Sequence, residues 1–261
     1  MYKLSLAFLI MMGIGQLNMD NKAYSDSSQM ILVKSENWQS VKASISLYEK
    51  DANNQWKKFG EDMPAVLGKN GLGWGRGLFS REDVKNNTYR QEGDKRAPAG
   101  IFNIGEIFGI EEAKTAQKNL DLKMPYTYLT ESTRCIGEGK SQYYNQIVDI
   151  NKVKKDWEND SNNEAMRYEG IRDEQAYKWG ININNNVDSN PDPDMKRDKN
   201  AGSCIFIHIW KNEDTGTSGC TAIQEKDIVK IIKWLDSSKN PLITQLPEAE
   251  YQRLKPKWNL P

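Results

Sequence analysis

The sequence has one histidine, His208, among its 261 residues, and it has no Cys-x-x-Cys pair. Zinc sites need several histidine or cysteine ligands close together, so the sequence predicts no metal site and no cofactor. Net charge is also absent, because 36 lysine and arginine residues balance 36 aspartate and glutamate residues. A neutral chain has no long-range attraction for polyanions, which argues against nucleic acid as a partner.

Long apolar runs are scarce, and a mean hydropathy of −0.77 describes a very polar chain. The clearest apolar run covers residues 4–14, directly after Lys3. It is too short to span a bilayer but fits the centre of a signal peptide, and Ala23 and Ser25 have cleavage-site spacing. We predict a signal peptide over 1–25, export to the periplasm, cell wall or extracellular space, and no transmembrane segment in the mature chain. A buried element and an uncleaved anchor are the alternatives.

Cysteine is also infrequent, with three residues in the chain. Thiols of exported proteins tend to pair, and an odd number leaves one cysteine over. The unpaired cysteine is therefore a candidate reactive thiol.

The chain shows no internal repeat and no linker that would divide it. Alternating apolar and polar residues, turn residues and one amphipathic stretch predict an α+β fold that is mainly β. We expect one domain over residues 29–261, with a loop-rich insertion around 106–200. Strands are predicted at 29–33, 43–47, 55–59, 204–210 and 241–246, helices at 111–119 and 225–236, an exposed loop at 182–198, and either helix or loop at 151–157 and 163–168.

His208 and Cys220 form the candidate catalytic pair. A strand carries the histidine, and a short loop ending in Gly219 returns the chain to the cysteine. Imidazole exchanges protons near neutral pH, and a thiolate is a strong nucleophile. Gly219 allows a turn in which backbone N–H groups face a developing oxyanion. The alternative is more common for such a pair: a histidine packed in the core and an inert, buried cysteine.

The segments around this pair resemble a known family. Residues 202–210 read Gly-Ser-Cys-Ile-Phe-Ile-His-Ile-Trp, and residues 217–222 read Thr-Ser-Gly-Cys-Thr-Ala. Upstream, residues 93–102 form a loop with Pro-x-Gly before a strand. Together these segments resemble YkuD-type L,D-transpeptidase domains, and so do residues 141–149, 234–236 and 246–261, so the resemblance covers nearly all of the mature chain.

The resemblance implies a β-sandwich or barrel core with a few peripheral helices. It also implies that Cys220 attacks an amide of a peptidoglycan stem peptide and forms a thioester, with His208 as the base. The thioester then passes to an acceptor amine or to water, which makes the protein an L,D-transpeptidase or an L,D-carboxypeptidase. The partners are stem peptides, and the sequence gives no indication of the oligomeric state.

The sequence departs from the commonest family pattern at two places and in one spacing, because the gap from His208 to the Gly-Cys pair is shorter than usual. Ser218 stands where most members have a second histidine, and residues 221–223 lack the asparagine or arginine that usually follows the cysteine. These departures motivate an alternative function, a non-catalytic cell-wall-binding domain of the same fold. A papain-like peptidase is set aside, because there the cysteine precedes the histidine in sequence.

Further residues are candidates for supporting roles. Cys135 and Cys204 are predicted to form a disulfide in preference to a metal-binding pair. Lys95 and Arg96 are candidates for binding a substrate carboxylate, although a solvated surface pair is the alternative. The remaining candidates could line a substrate groove or, for the aromatic residues, pack in the core: Ser218, Trp210, Tyr143 and Tyr144.

Overall fold

The computed structural model describes residues 24–84, 89–158, 160–167 and 175–261. The predicted signal peptide lies outside these ranges except for its last two residues, and it stays a prediction. In the ranges described, no helix combines the length and apolar character needed to cross a membrane.

Thirteen β-strands and three α-helices make up the regular structure of the described residues. The strands are β1 (Gln29–Ser35), β2 (Lys42–Lys50), β3 (Trp56–Val66), β4 (Leu72–Trp74), β5 (Ala97–Gly109), β6 (Tyr126–Tyr128), β7 (Thr133–Cys135), β8 (Ile147–Asp149), β9 (Glu164–Ala165), β10 (Trp179–Ile183), β11 (Phe206–Ile209), β12 (Thr221–Ile223) and β13 (Leu242–Pro247). The helices are α1 (Ala113–Leu120), α2 (Glu225–Trp234) and α3 (Glu248–Trp258).

Eight of the strands close into a barrel. The order around the ring is β5, β10, β11, β12, β3, β2, β1 and β13, and β13 pairs with β5 again. Successive strands β1, β2 and β3 form antiparallel hairpins. The pairs β1–β13 and β11–β12 are parallel. This mainly β architecture with few helices confirms the predicted fold class.

The two faces of β11 separate the barrel interior from the site. Ile207 and Ile209 point inward and belong to the main hydrophobic core. Side chains alternate along a strand, so Phe206 and His208 point to the outside of the barrel. Phe206 accordingly belongs to a second, smaller hydrophobic cluster. The candidate base His208 therefore lies on the outer surface of the barrel wall.

The chain between β5 and β11 covers that outer surface. A small sheet of β8, β7 and β9 lies in this insertion. Three residues of the insertion, Leu129, Cys135 and Met166, pack in the second cluster with Phe206 and Cys220. The region predicted as a loop-rich insertion, residues 106–200, is interrupted by β10, which the structure places in the barrel between β5 and β11.

The predicted exposed loop at 182–198 is wrong for Asn185, Asn186 and Asn190, which are buried. Their side-chain amides supply hydrogen bonds that regular secondary structure would otherwise give. Asn186 Oδ1 accepts from the Asp198 N–H at 2.7 Å, and its Nδ2 donates to the Asp198 and Gly202 carbonyls, each at 2.9 Å. A polar residue can therefore be buried here, because both side-chain atoms of Asn186 have hydrogen-bond partners.

Candidate active site

The barrel wall brings the predicted nucleophile and base to one face. In the parallel pair of β11 and β12, Ile207 lies opposite Thr221 and His208 lies opposite Ala222. Cys220 immediately precedes Thr221, so it lies beside Phe206 and on the same outward face as His208. The cysteine and the histidine are thus diagonal neighbours on adjacent strands.

A hydrogen-bonded turn fixes the backbone at Cys220. Gly219 has φ +147°, a conformation that side chains disfavour. Its N–H donates to Thr217 Oγ1 at 3.1 Å, and Thr217 Oγ1 donates to the Cys220 carbonyl at 2.6 Å. The Lys69 N–H donates to the Thr217 carbonyl at 2.9 Å and ties the turn to a neighbouring loop. The Gly219 amide is thus engaged within the turn, and its proposed contribution to an oxyanion site stays a prediction.

The Cys220 thiol is buried and neutral. The residue is 9% exposed. Its Sγ accepts from the Phe206 N–H at 3.4 Å and donates to the Cys204 carbonyl at 3.6 Å. Burial raises the pKa of the thiol to about 12, and the negative charge of Glu164 acts in the same direction. The Phe206 N–H and the charge of Arg90 oppose this rise in pKa without overcoming it.

His208 is held as a neutral base with a defined tautomer. Its Nδ1 lies 2.8 Å from the Ile209 carbonyl oxygen. A carbonyl can only accept, so Nδ1 carries the proton and Nε2 keeps its lone pair. Burial lowers the pKa of the imidazole, which keeps the ring uncharged near neutral pH. The Tyr177 ring meets the imidazole edge-on at 5.4 Å between centroids, and the Tyr177 hydroxyl donates to Glu164 at 2.6 Å.

Cys135 and Cys204 form a disulfide, the same pair that the sequence analysis proposes. Their Cα atoms are 5.9 Å apart. The bond joins β7 of the insertion to the segment that leads into β11, and Cys220 remains as the free thiol. Cys204 has φ +56°, and its N–H donates to Asn145 Oδ1 at 2.8 Å. The Cys204 carbonyl, which accepts the Cys220 thiol proton, is therefore positioned by the disulfide and by the hydrogen bond to Asn145.

The remaining substrate-binding candidates differ in their exposure to solvent. Lys95 and Ser218 are exposed, and Trp210 is half-buried. Arg96 Nη1 donates to two backbone carbonyls, those of Asn70 at 2.8 Å and Leu72 at 2.9 Å. Part of the Arg96 guanidinium therefore stabilises the loop through these two hydrogen bonds. A role for these residues in substrate binding stays a prediction.

The two tyrosines of the insertion differ in burial. Tyr143 is half-buried and meets the Trp157 ring edge-on, with ring centroids 6.3 Å apart. Tyr144 is 2% exposed, and burial raises the pKa of its hydroxyl to about 12. Tyr144 thus packs inside the domain, and Tyr143 is the one that can reach a surface groove.

Arg90 is a site residue that the sequence analysis does not select. It is 4% exposed, and its charge acts on Cys220. It lies just before the Pro-x-Gly loop, a segment that the motifs do mark. Arginine is rarely buried, and the polar residues around it gave no signal of burial. Within the described part of the chain, no cluster of three or more His, Cys, Asp or Glu could hold a metal ion.

The structure thus combines a closed β-barrel, a cysteine and a histidine on neighbouring strands of its outer wall, and an insertion that covers them. The family model of the YkuD L,D-transpeptidase catalytic domain matches residues 47–243, which is most of the chain. The chain therefore belongs to the YkuD family of L,D-transpeptidase catalytic domains. No curated protein and no solved structure matches the chain.

Proposed function

We propose that the protein catalyses acyl transfer on peptidoglycan stem peptides, with Cys220 as the nucleophile and His208 as the base. Family membership supports the reaction class. The observation that carries the residue assignment is the register of β11 and β12, which puts the histidine and the cysteine on one face.

The proposed reaction has two halves. Sγ of Cys220 attacks the carbonyl carbon of the scissile amide while its proton passes to Nε2 of His208. The C–N bond then breaks, the imidazolium returns the proton to the leaving amine, and a thioester remains on Cys220. In the second half, His208 takes a proton from an acceptor amine or from water, which attacks the thioester. The protonated imidazole then returns its proton to the departing sulfur.

The free enzyme needs a rearrangement before this reaction. The thiol is covered, and its proton is donated to the Cys204 carbonyl at 3.6 Å. Attack requires the thiol to turn away from that carbonyl, and substrate entry requires the insertion to move from the barrel wall. The neutral histidine suits this order of events, because it accepts the proton only when the thiol is presented with substrate.

A second candidate function is a wall-binding domain without catalysis. The buried, neutral thiol and the exposed Ser218 at the place of a second family histidine favour it. Against it stands the tautomer of His208, whose Nδ1 contact leaves Nε2 ready to accept a proton.

Incubation with purified muropeptides, with and without an acceptor stem, tests the proposal by mass. We expect a cross-linked product with the acceptor, a trimmed product without it, and a thioester adduct on the intact protein. Cys220→Ala and His208→Ala should each abolish turnover, and the double variant should be no worse than either single one. Turnover by folded Cys220→Ala would refute the mechanism, and binding without turnover by the wild type would favour the wall-binding alternative.

We also propose that the protein is exported to the periplasm or cell wall. The apolar run at 4–14 supports this, and so does the Cys135–Cys204 disulfide, since such bonds persist mainly in oxidising compartments. Fractionation of cells that express the full chain, followed by N-terminal analysis, should find a mature form beginning near residue 25. A full-length, reduced protein confined to the cytosol would contradict export.

A further inference from the structure

Arg90 enters the site from the segment before the Pro-x-Gly loop. Its backbone N–H donates to the Trp74 carbonyl at 2.8 Å, and Tyr89 forms a bridge with Trp74. These contacts fix the start of the side chain next to β4. From there the side chain runs inward, and the residue is 4% exposed.

Two glycines make room for the Arg90 guanidinium beside Cys220. A Cβ at Gly202 would lie 2.4 to 2.6 Å from three atoms of the guanidinium. Any side chain at position 202 would therefore displace the guanidinium. A Cβ at Gly219 would lie 3.5 Å from Nη2 of Arg90. Since Gly219 directly precedes Cys220, the cationic group lies at the turn that presents the nucleophile.

The guanidinium lacks an anionic partner among the described residues. Its Nε and Nη1 are buried without a hydrogen-bond acceptor. The nearby carboxylates influence it only through their charge, and each has other contacts. Glu92 accepts from the Ser203 hydroxyl at 2.9 Å, and Asp94 accepts from the Gln91 and Arg96 backbone N–H groups at 2.8 and 2.9 Å. A buried cation without a partner is costly, and the unpaired Nε and Nη1 of Arg90 give the guanidinium unused capacity to bind an anion.

We propose that Arg90 is the receptor for a substrate carboxylate next to the scissile amide, namely the free α-carboxylate of the residue that leaves when Cys220 is acylated. This inference rests on the proposed function. A guanidinium binds a carboxylate through charge-assisted hydrogen bonds, which are stronger when water is excluded. Because Arg90 lies at the Gly219 turn, a carboxylate bound to it is held one residue from the bond that Cys220 attacks. The enzyme therefore selects stem peptides whose leaving residue ends in a free carboxylate.

The test compares a tetrapeptide stem that has a free terminal carboxylate with the same stem as its terminal carboxamide. We expect the wild type to prefer the carboxylate by about tenfold or more in kcat/KM, mainly through KM. Arg90→Gln should bring both substrates to the same low value. Arg90→Lys should recover part of the preference, because it keeps the charge and loses the planar fork. Arg253→Gln, the same change at an arginine of α3, is the matched control, and it should preserve the preference of the wild type.

Several outcomes overturn the inference. A wild type that turns over both substrates equally would exclude a carboxylate receptor, whether or not the Arg90 variants fold. An undiminished preference in Arg90→Gln, or an equal loss of preference in Arg253→Gln, would exclude Arg90 as the receptor while leaving the proposed function intact. If the wild type turns over neither substrate, the proposed function fails, and the inference fails with it.

Discussion

At the scale of single residues, the position of one proton governs the reactivity of Cys220. With a pKa raised to about 12 by burial, the thiol stays protonated at neutral pH in the free enzyme. Only the thiolate reacts with alkylating agents, and its fraction grows about tenfold per pH unit below the pKa. We therefore predict slow alkylation by iodoacetamide at pH 7 and a rate that rises steadily to pH 10, followed by intact mass.

The protein in denaturant is the control for this rate profile, because its unfolded thiol should level off near the ordinary cysteine pKa of about 8.5. A plateau of the folded protein near pH 7 would contradict the prediction and indicate a preformed thiolate–imidazolium pair. Slow alkylation at neutral pH thus does not argue against catalysis, since proton transfer to His208 accompanies attack on the substrate.

Asn186 offers a second prediction at this scale. Its buried amide makes three hydrogen bonds to the Asp198 and Gly202 backbone, and its φ of +60° is one that asparagine tolerates better than alanine does. Asn186→Ala should lower the free energy of unfolding by roughly 2–4 kcal/mol, measured by urea denaturation. Asn151→Ala, at an exposed position, should change it by less than about 0.5 kcal/mol. Equal effects of the two variants would contradict this role.

The sequence singled out Cys220 and His208 as candidates and predicted the Cys135–Cys204 disulfide, because these residue types are rare and stand in recognisable segments. Arg90 and Asn186 escaped because burial of a polar side chain depends on partners that are distant in the chain. Asn186 contacts Gly202, and Arg90 lies against both Gly202 and Gly219. No local pattern contains that information.

At the scale of elements, segments with a clear periodic pattern were predicted well, and a segment without such a pattern was missed. The amphipathic pattern at 225–236 corresponds to α2, and 241–246 corresponds to β13. Helix α3 was not predicted, because it carries Pro256 near its end, although Tyr251, Leu254 and Trp258 bury one face of it. The strand predicted at 204–210 is shorter in the structure, because the disulfide and the left-handed backbone at Cys204 delay the start of β11.

The disulfide between the insertion and the segment before β11 gives a prediction at this scale. It closes a loop of sequence separation 69, for which the chain-entropy model gives about 4 kcal/mol. Replacing Cys135 and Cys204 together by serine should lower the free energy of unfolding by up to that amount, and the variant should no longer respond to a reductant. The same change releases the Cys204 carbonyl, so iodoacetamide should alkylate Cys220 faster.

Cys220→Ala, with its disulfide intact, is the control for stability and should lose stability when a reductant is added. A variant without the disulfide that unfolds as the oxidised wild type does would show that the bond contributes no stability. An unchanged alkylation rate would show that the Cys204 carbonyl does not restrain the thiol.

At the scale of the whole molecule, the β10 residue Gly180 lies between two neighbouring barrel strands. It is paired with Phe108 of β5 on one side and with His208 of β11 on the other. A Cβ there would lie 2.1 Å from the Phe108 ring, which packs on Phe206 with centroids 5.0 Å apart. Gly180→Ala should therefore lower the free energy of unfolding by roughly 1–3 kcal/mol and also reduce turnover.

A second substitution distinguishes overlap with Phe108 from a general effect of alanine at this position. Phe108→Leu removes the ring atoms that the new Cβ would meet, so the two changes together should cost less than the sum of their separate effects in urea denaturation. Strict additivity would place the strain elsewhere.

The pairing of β10 with β5 is the part of the fold that the sequence could not predict, because β10 is short and follows a long insertion.

The arrangement of the first and last barrel strands has a consequence for biosynthesis. β1 pairs with β13, and β13 also pairs with β5, so a strand near the C-terminus fills the gap between two earlier ones. During synthesis, both earlier strands present open hydrogen-bonding edges until β13 has left the ribosome. Such edges favour association with other chains, and contacts between distant parts of a chain form slowly. Until β13 is in place, the open edges of β1 and β5 are therefore where an incompletely folded chain is most exposed to pairing with another chain.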